Sequence, residues 1–262
     1  MDINFKGKYA LVCGSTQGIG RAIAEELAHL GCSVTLCSRN LQKLEEVRNS
    51  LFTTSIQKHQ TLVADFSDPS HLKTAINKHI SDGNQYQILI NNTGGPPAGQ
   101  AISAELEEFR VAFNQHLICN QILTQACVEG MKSSGYGRII NVISTSVKAP
   151  LKGLGVSNTI RGAVANWAKT LSFELGEFGI TVNNVLPGAT ATQRLSSIIE
   201  NKANKLQKSI DDTEQAMKNE IPARRFAQPK EVAAAAVFLA SPAAGYINGI
   251  NLPVDGGRLP NL

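Results

Sequence analysis

Two short stretches of this sequence hold residue types whose spacing can do chemistry. The first is Cys13-Gly14-Ser15-Thr16-Gln17-Gly18-Ile19-Gly20-Arg21, directly after an apolar run and directly before a helical stripe of Ile23, Leu27 and Leu30. Gly14 lets the chain turn sharply, Gly18 removes a side chain where the backbone must approach a phosphate, and Gly20 allows close helix packing. Backbone N–H groups and the helix N-terminus then face an anion. Three glycines alone can simply make a turn. The strand–loop–helix context within the first βαβ unit is what predicts a dinucleotide site, with Thr16, Gln17 and Ile19 as part of it. The next apolar run ends Leu36-Cys37-Ser38-Arg39-Asn40. An acidic residue there would hold a ribose 2′-hydroxyl. Ser38 and Arg39 stand there instead, and a guanidinium pairs with a 2′-phosphate, so NADP(H) is expected over NAD(H).

The second stretch is Gly155-Val156-Ser157-Asn158-Thr159-Ile160-Arg161-Gly162, the start of a helical pattern that continues through Val164, Trp167, Leu171 and Leu175. Ser157 and Arg161 are four apart and share one helix face. The serine hydroxyl is a weak acid, and arginine keeps its proton. A guanidinium can hydrogen-bond a ribose and steady a developing negative charge. Ser157 and Thr159 also stand where a helix is capped, and Gly162 predicts a close backbone approach beside Arg161.

These residues need a frame. Tyr9–Cys13, Ser33–Cys37, Thr61–Ala64, Ile88–Ile90, Arg138–Ile143, Thr181–Val185 and Ile250–Val254 are short apolar runs that suit strands buried on both faces. Helical periods lie between them. The expected fold is α/β: one doubly wound, Rossmann-type domain over residues 1–262, with a parallel sheet of about seven strands and helices on both faces. Residues 188–222 are polar and too long for a bare connection, so they should contain helices and form a substrate loop or lid. Three strand ends, near Asp65, near Asn92 and Gly94, and at Pro187-Gly188, should lie along one crevice. Asp65 can accept from an adenine amino group or cap a helix, and Pro187-Gly188 can also be a plain turn. The stiff Gly94-Gly95-Pro96-Pro97 loop sits beside that crevice. The polar pattern at Gln193-Arg194 and Asn201 to Lys208 points weakly to polar or anionic substrates.

Composition narrows the classes. Of the 262 residues, 42 % are apolar and 18 % charged, an ordinary globular balance. The formal net charge of +4 is spread out, which argues against nucleic acid as a partner. No apolar run reaches the length of a membrane span and no signal-peptide pattern opens the chain. Cys13, Cys32, Cys37, Cys119 and Cys127 lack metal-site spacing, so neither a metal nor a disulfide framework is expected. Cys13, Cys37 and Cys119 should pack as small hydrophobes. A reducing, cytoplasmic setting follows.

Taken in order, these motifs resemble the short-chain dehydrogenase/reductase family over nearly the whole chain. The glycine loop has the family's GxxxGxG form. Asp65-Phe66 is similar to its acidic pair beside the adenine, and Asn91-Asn92-Thr93-Gly94 to its NNAG, with Thr93 in place of alanine. Pro187-Gly188-Ala189-Thr190-Ala191-Thr192 resembles the segment that holds the nicotinamide carboxamide. Arg224-Arg225-Phe226 with Pro229-Lys230-Glu231-Val232-Ala233, and Val254-Asp255-Gly256-Gly257, resemble two further recurring segments. The resemblance implies a homodimer or homotetramer and a small-molecule substrate.

It also exposes a departure. The family places a serine after the fifth strand, a tyrosine thirteen residues on, a lysine four beyond, and an asparagine in an earlier helix. Ser144 matches the first, but Ser157 and Arg161 occupy the tyrosine and lysine positions and His116 the asparagine position. No tyrosine lies between Tyr136 and Tyr246, so no small shift of register restores one. Hydride reduction of a carbonyl makes an alkoxide that needs a proton. His116, with an ordinary pKa near 6.5, is expected to relay one through water or ribose hydroxyls, or else simply to pack on its helix. Two functions follow: an NADP(H)-dependent oxidoreductase with Ser-x3-Arg in place of Tyr-x3-Lys, or a cofactor-binding protein without turnover that serves as a sensor or partner subunit.

Overall fold

The computed structural model describes residues 3–261. Strands and helices alternate as expected. β1 (Tyr9–Cys13) leads to α1 (Gly18–His29), β2 (Ser33–Ser38) to α2 (Leu41–Ser50), and β3 (Gln60–Val63) to α3 (Pro69–Ser81). β4 (Ile88–Asn91) leads to α4 (Leu106–Phe113) and α5 (Cys119–Ser134), which join through a single π turn at Asn114–Ile118. β5 (Gly137–Val142) leads to α6 (Gly155–Leu175). β6 (Ile180–Pro187) leads to α7 (Gln193–Leu206), α8 (Ile210–Asn219) and α9 (Pro229–Ala240), and β7 (Asn251–Val254) closes the sheet.

All seven strands are parallel, in the order β3-β2-β1-β4-β5-β6-β7. The order reverses between β1 and β4, which opens a crevice at the carboxyl ends of those strands. One apolar layer packs α1, α2 and α9 on the sheet through Ile23, Leu27, Leu44 and Val237. The other packs α3, α5 and α6 through Leu72, Leu123, Met131 and Ala168, and it takes in Cys13, Cys37, Cys119 and Cys127 as small apolar groups. All five cysteines are buried and free, and burial pushes the Cys119 and Cys127 thiols up to about 12. Among the described residues no helix is long and apolar enough to cross a membrane, and no cluster of His, Cys, Asp and Glu could hold a metal ion.

The polar 188–222 stretch contains α7 and α8. Their apolar faces do not join either sheet layer. Leu195, Ile199, Met217, Ile221 and Phe226 form a small cluster of their own. Both helices start on hydroxyl caps, Thr192 for α7 and Ser209 for α8.

A chain of buried amides crosses the second half of the sheet. Asn91 Nδ2 donates to Asn141 Oδ1 (2.9 Å), Asn141 Nδ2 to Asn184 Oδ1 (2.9 Å), and Asn184 Nδ2 to Asn251 Oδ1 (2.8 Å). The four residues are register partners in β4, β5, β6 and β7. They share the sheet face of Leu89, Ile139 and Val182 by strand parity. Asn91 Oδ1, at the chain's head, has no partner. Asn141→Leu would leave a buried donor on Asn91 and a buried acceptor on Asn184 unpaired. At about 1–3 kcal/mol each, the variant should lose about 2–6 kcal/mol of folding stability in urea titration. A loss below about 0.5 kcal/mol would show that the ladder does not hold the sheet.

Candidate active site

The crevice holds a cavity of about 870 Å³. Its first wall is the glycine loop. Gly14 and Gly18 have φ of +59° and +56°, and a Cβ on Gly14 would lie 2.6 Å from the Asn92 carbonyl oxygen. Asn92 Nδ2 donates to the carbonyls of both Cys13 and Gly14, so β4 is pinned to the loop. Gly20 has no room for a side chain against the Gly14 carbonyl, as helix packing at that position requires. Thr16, Gln17 and Ile19 line the cavity. Gln17 is the N-cap of α1 but makes no side-chain capping bond, and the first turn carries no acid. The orphan N–H groups there are free for an anionic ligand.

At the same end Ser38, Arg39 and Asn40 line the cavity, and the Ser38 hydroxyl is buried without a partner. Lys43 joins them from the first turn of α2, one turn beyond Arg39. Sequence reading passed over Lys43, whose only signal was that i,i+4 spacing. Asp65 and Phe66 line the far side. Asp65 does not cap α3, a role taken by Asp68. Its carboxyl accepts from the Ser67 backbone N–H (2.8 Å), which with the Arg39 charge holds it below the usual carboxylate range.

The opposite end gathers the residues of interest. Thr93, Gly94, Ser144, Ser157, Arg161, Pro187, Gly188, Thr190 and Thr192 all line the cavity. Ser144 follows β5, and its Oγ accepts from the Ser146 N–H (3.1 Å). α6 opens on Leu154 with no side-chain cap, so neither Ser157 nor Thr159 caps it. Thr159 Oγ1 instead donates back to the Gly155 carbonyl. The helix start is held by Asn158, whose amide bonds the Leu151 carbonyl and N–H, and by Gly155, which has no room for a side chain beside Ala101. The close approach expected at Gly162 is absent, because a Cβ there would meet open space.

Arg161 is 7 % exposed. Its Nη1 donates to the Val142 carbonyl (3.3 Å), and its Nε has no partner. Burial, with a smaller push from Arg194, lowers its pKa to about 10, so it stays charged at neutral pH. Arg194, at the start of α7, reaches across the crevice. Its Nη1 and Nη2 donate to the carbonyls of Gly95 (3.0 Å) and Pro96 (2.8 Å). Nothing local in the sequence marked that bridge.

His116 behaves otherwise than its ordinary pKa suggested. It sits in the π turn between α4 and α5, buried, and does not line the cavity. Burial first, then the charges of Arg161 and Arg194, push its pKa down to about 2. The imidazole is therefore neutral. Nδ1 shares a 2.6 Å hydrogen bond with Thr93 Oγ1, and Nε2 has no partner. Thr93, just after β4, thus touches His116 in the π turn. None of the four tyrosines lines the cavity. Tyr86 bonds Thr35, Tyr136 bonds the Ala240 carbonyl, and Tyr246 is fully exposed.

Known proteins agree with this architecture. The family profile described as Enoyl-(Acyl carrier protein) reductase matches residues 14–258. The chain belongs to the short-chain dehydrogenase/reductase family. It is 31 % identical to the NADPH-dependent reductase BacG of Bacillus subtilis, covering 97 % of this chain and 98 % of that one. It is 32 % identical to the 3-oxoacyl-[acyl-carrier-protein] reductase FabG of Haemophilus influenzae, covering 96 % and 98 %. The structure of L-sorbose reductase from Gluconobacter frateurii, complexed with NADPH and L-sorbose, superposes with a TM-score of 0.93 at 30 % identity over the full length of both chains.

The neutral, buried His116 ties stability to pH. Its folded pKa of about 2 lies below the ordinary unfolded value near 6.5. Its contribution is therefore complete above pH 6.5 and is lost as pH falls below it, by up to about 1.4 kcal/mol per pH unit. The parent should lose about 1.4 kcal/mol more than His116→Gln between pH 7.5 and 5.5 in urea unfolding, the other histidines cancelling in the difference. Equal losses would mean that His116 titrates normally.

Proposed function

We propose that this protein is an NADP(H)-dependent oxidoreductase that moves a hydride to or from a small carbonyl- or alcohol-type substrate, with Ser144, Ser157 and Arg161 as its polar set. One observation carries the reading: a single crevice joins an anion-ready glycine loop and the Ser38-Arg39-Lys43 corner to a hydroxyl–guanidinium cluster at the β5 and α6 ends. The NADPH-dependent and NADPH-bound relatives support the cofactor assignment.

In this reading Ser38, Arg39 and Lys43 take the 2′-phosphate, and Gly14 to Gly20 with the α1 N-terminus take the pyrophosphate. Asp65 and Phe66 flank the adenine. Asn92, Thr93 and Gly94 meet a ribose. Pro187, Gly188, Thr190 and Thr192 position the nicotinamide carboxamide. NADP(H) supplies or accepts the hydride when bound. Ser144 and Ser157 donate to the substrate oxygen, and Arg161 stabilises negative charge developing on it. Neither a tyrosine nor a protonated His116 is at hand, so water delivers the proton, and the 2.6 Å bond from His116 holds Thr93 in place. Lacking a positioned acid costs about 10²–10⁴ in rate. Substrates whose product oxygen is a stabilised anion, or that present an activated C=C or C=N bond, suffer least. The α7–α8 segment acts as a lid, latched by Arg194 to the Gly95 and Pro96 carbonyls. Exposed Ile102, Leu106 and Phe173 offer apolar surface for the homo-oligomer.

The neutral His116 and the tyrosine-free cavity favour a second reading, a cofactor-binding sensor or partner subunit without turnover. NADPH titration followed by its oxidation against ketones, quinones, imines and activated alkenes separates the two. Tight binding with oxidation of at least one substrate supports the first; binding without any oxidation supports the second; no binding defeats both. Arg39→Asp should weaken NADPH more than NADH, by about tenfold or more. Equal weakening in fluorescence titration would remove Arg39 from the cofactor site.

A further inference from the structure

The reacting end of the crevice carries an uncompensated positive charge. Arg161 enters from the floor, buried and charged, with one neutral carbonyl as its hydrogen-bond acceptor and an unpartnered Nε. Arg194, from α7, lines the same cavity and is anchored on two backbone carbonyls rather than on an acid. Among the described residues, the only carboxylate that lines the cavity is Asp65, at the Arg39 end. Neither arginine takes part in a salt bridge among the described residues.

A buried guanidinium without a counter-ion is costly, and folds retain one where an anion arrives to meet it. A dinucleotide's phosphates do not fill this role, because the α1 N-terminus, Arg39 and Lys43 already offer donors for them. Apolar side chains line the cavity as well, among them Leu151, Leu154, Leu195 and Ile198. Such a wall suits the carbon body of a ligand whose anionic head reaches the arginines.

We infer that the substrate of this site is a carboxylate with an apolar body, its carboxyl group seated between Arg161 and Arg194. This rests on the oxidoreductase reading for the site and adds the substrate's class. Arginine presents paired donors in a plane that matches a carboxylate, which a lysine at position 161 would not. Arg161 therefore selects the substrate as well as steadying charge, and Arg194 ties that selection to the lid.

The test uses the full chain saturated with NADP⁺ and two probes of nearly equal size, the anion phenylacetate and the neutral phenylacetamide, in isothermal titration calorimetry. Phenylacetate should bind about tenfold or more tightly than the amide. Arg194→Met and Arg161→Met should each reduce that preference severalfold, while Arg161→Lys keeps part of it. Arg194 is exposed, so its variant remains informative even if Arg161→Met does not fold. Equal or undetectable binding of the two probes to the NADP⁺-saturated protein would overturn the inference. So would a preference that survives Arg194→Met and any folded Arg161→Met, or phenylacetate binding to the cofactor-free protein that is lost when NADP⁺ is added, which would place the anion in the cofactor's phosphate site. Failure of the unaltered protein to bind NADP⁺ would instead defeat the oxidoreductase reading itself.

Discussion

The height at which three strand ends meet the crevice is held by four asparagine amides bonded head to tail. Asn91 is followed by Asn92, which pins the glycine loop. Asn141 is followed by the Val142 carbonyl that receives Arg161, and then by Ser144. Asn184 precedes Pro187 and Gly188 on the same strand. Because strand side chains alternate between faces, a one-residue slip in any of these pairings would turn an amide into the opposite apolar layer. Each amide is satisfied only by its register partner. The ladder therefore penalises wrong register in a region where Val, Ile and Leu could exchange places at little cost.

On that frame sits an unusual distribution of charge. Among the described residues, no carboxylic acid, tyrosine or histidine lines the Ser144–Arg161 end of the cavity. The same arginines that occupy the site suppress protonation of the nearest histidine, which burial has already made unfavourable. The positive charges of Arg161 and Arg194 disfavour a further cation on the buried imidazole. Thr93 supplies a partner for the neutral ring, and Arg161 brings a buried charge with directional donors.

Much of the fold was legible in the sequence because its signals are local. The seven apolar runs lie within a residue or two of the seven strands, with ends shifted where edge residues fray. The glycine turn was legible through spacing and context, and Ser38 and Arg39 line the same cavity as it does. Other features depend on which segments meet. Lys43 reaches the Ser38-Arg39 corner only because α2 begins there. Arg194 latches carbonyls 99 and 98 residues away, and Thr93 meets His116 across 23. The asparagines of the ladder looked like scattered polar interruptions of apolar runs. The expected cap at Ser157 and the expected crowding at Gly162 failed because the entry to α6 is fixed by Asn158 and Gly155.

The sequence by itself determined the alternation of elements, the glycine-rich turn after β1, and the placing of Ser157 and Arg161 four apart on one helix. Those are properties of residue type and short spacing, which survive without knowledge of neighbours. Only the tertiary structure decided what surrounds that pair. Whether a histidine is an acid or a neutral spacer depends on its burial and on the sign of the charges around it. Both are set by contacts between β4, the π turn, α6 and α7 that no local pattern records.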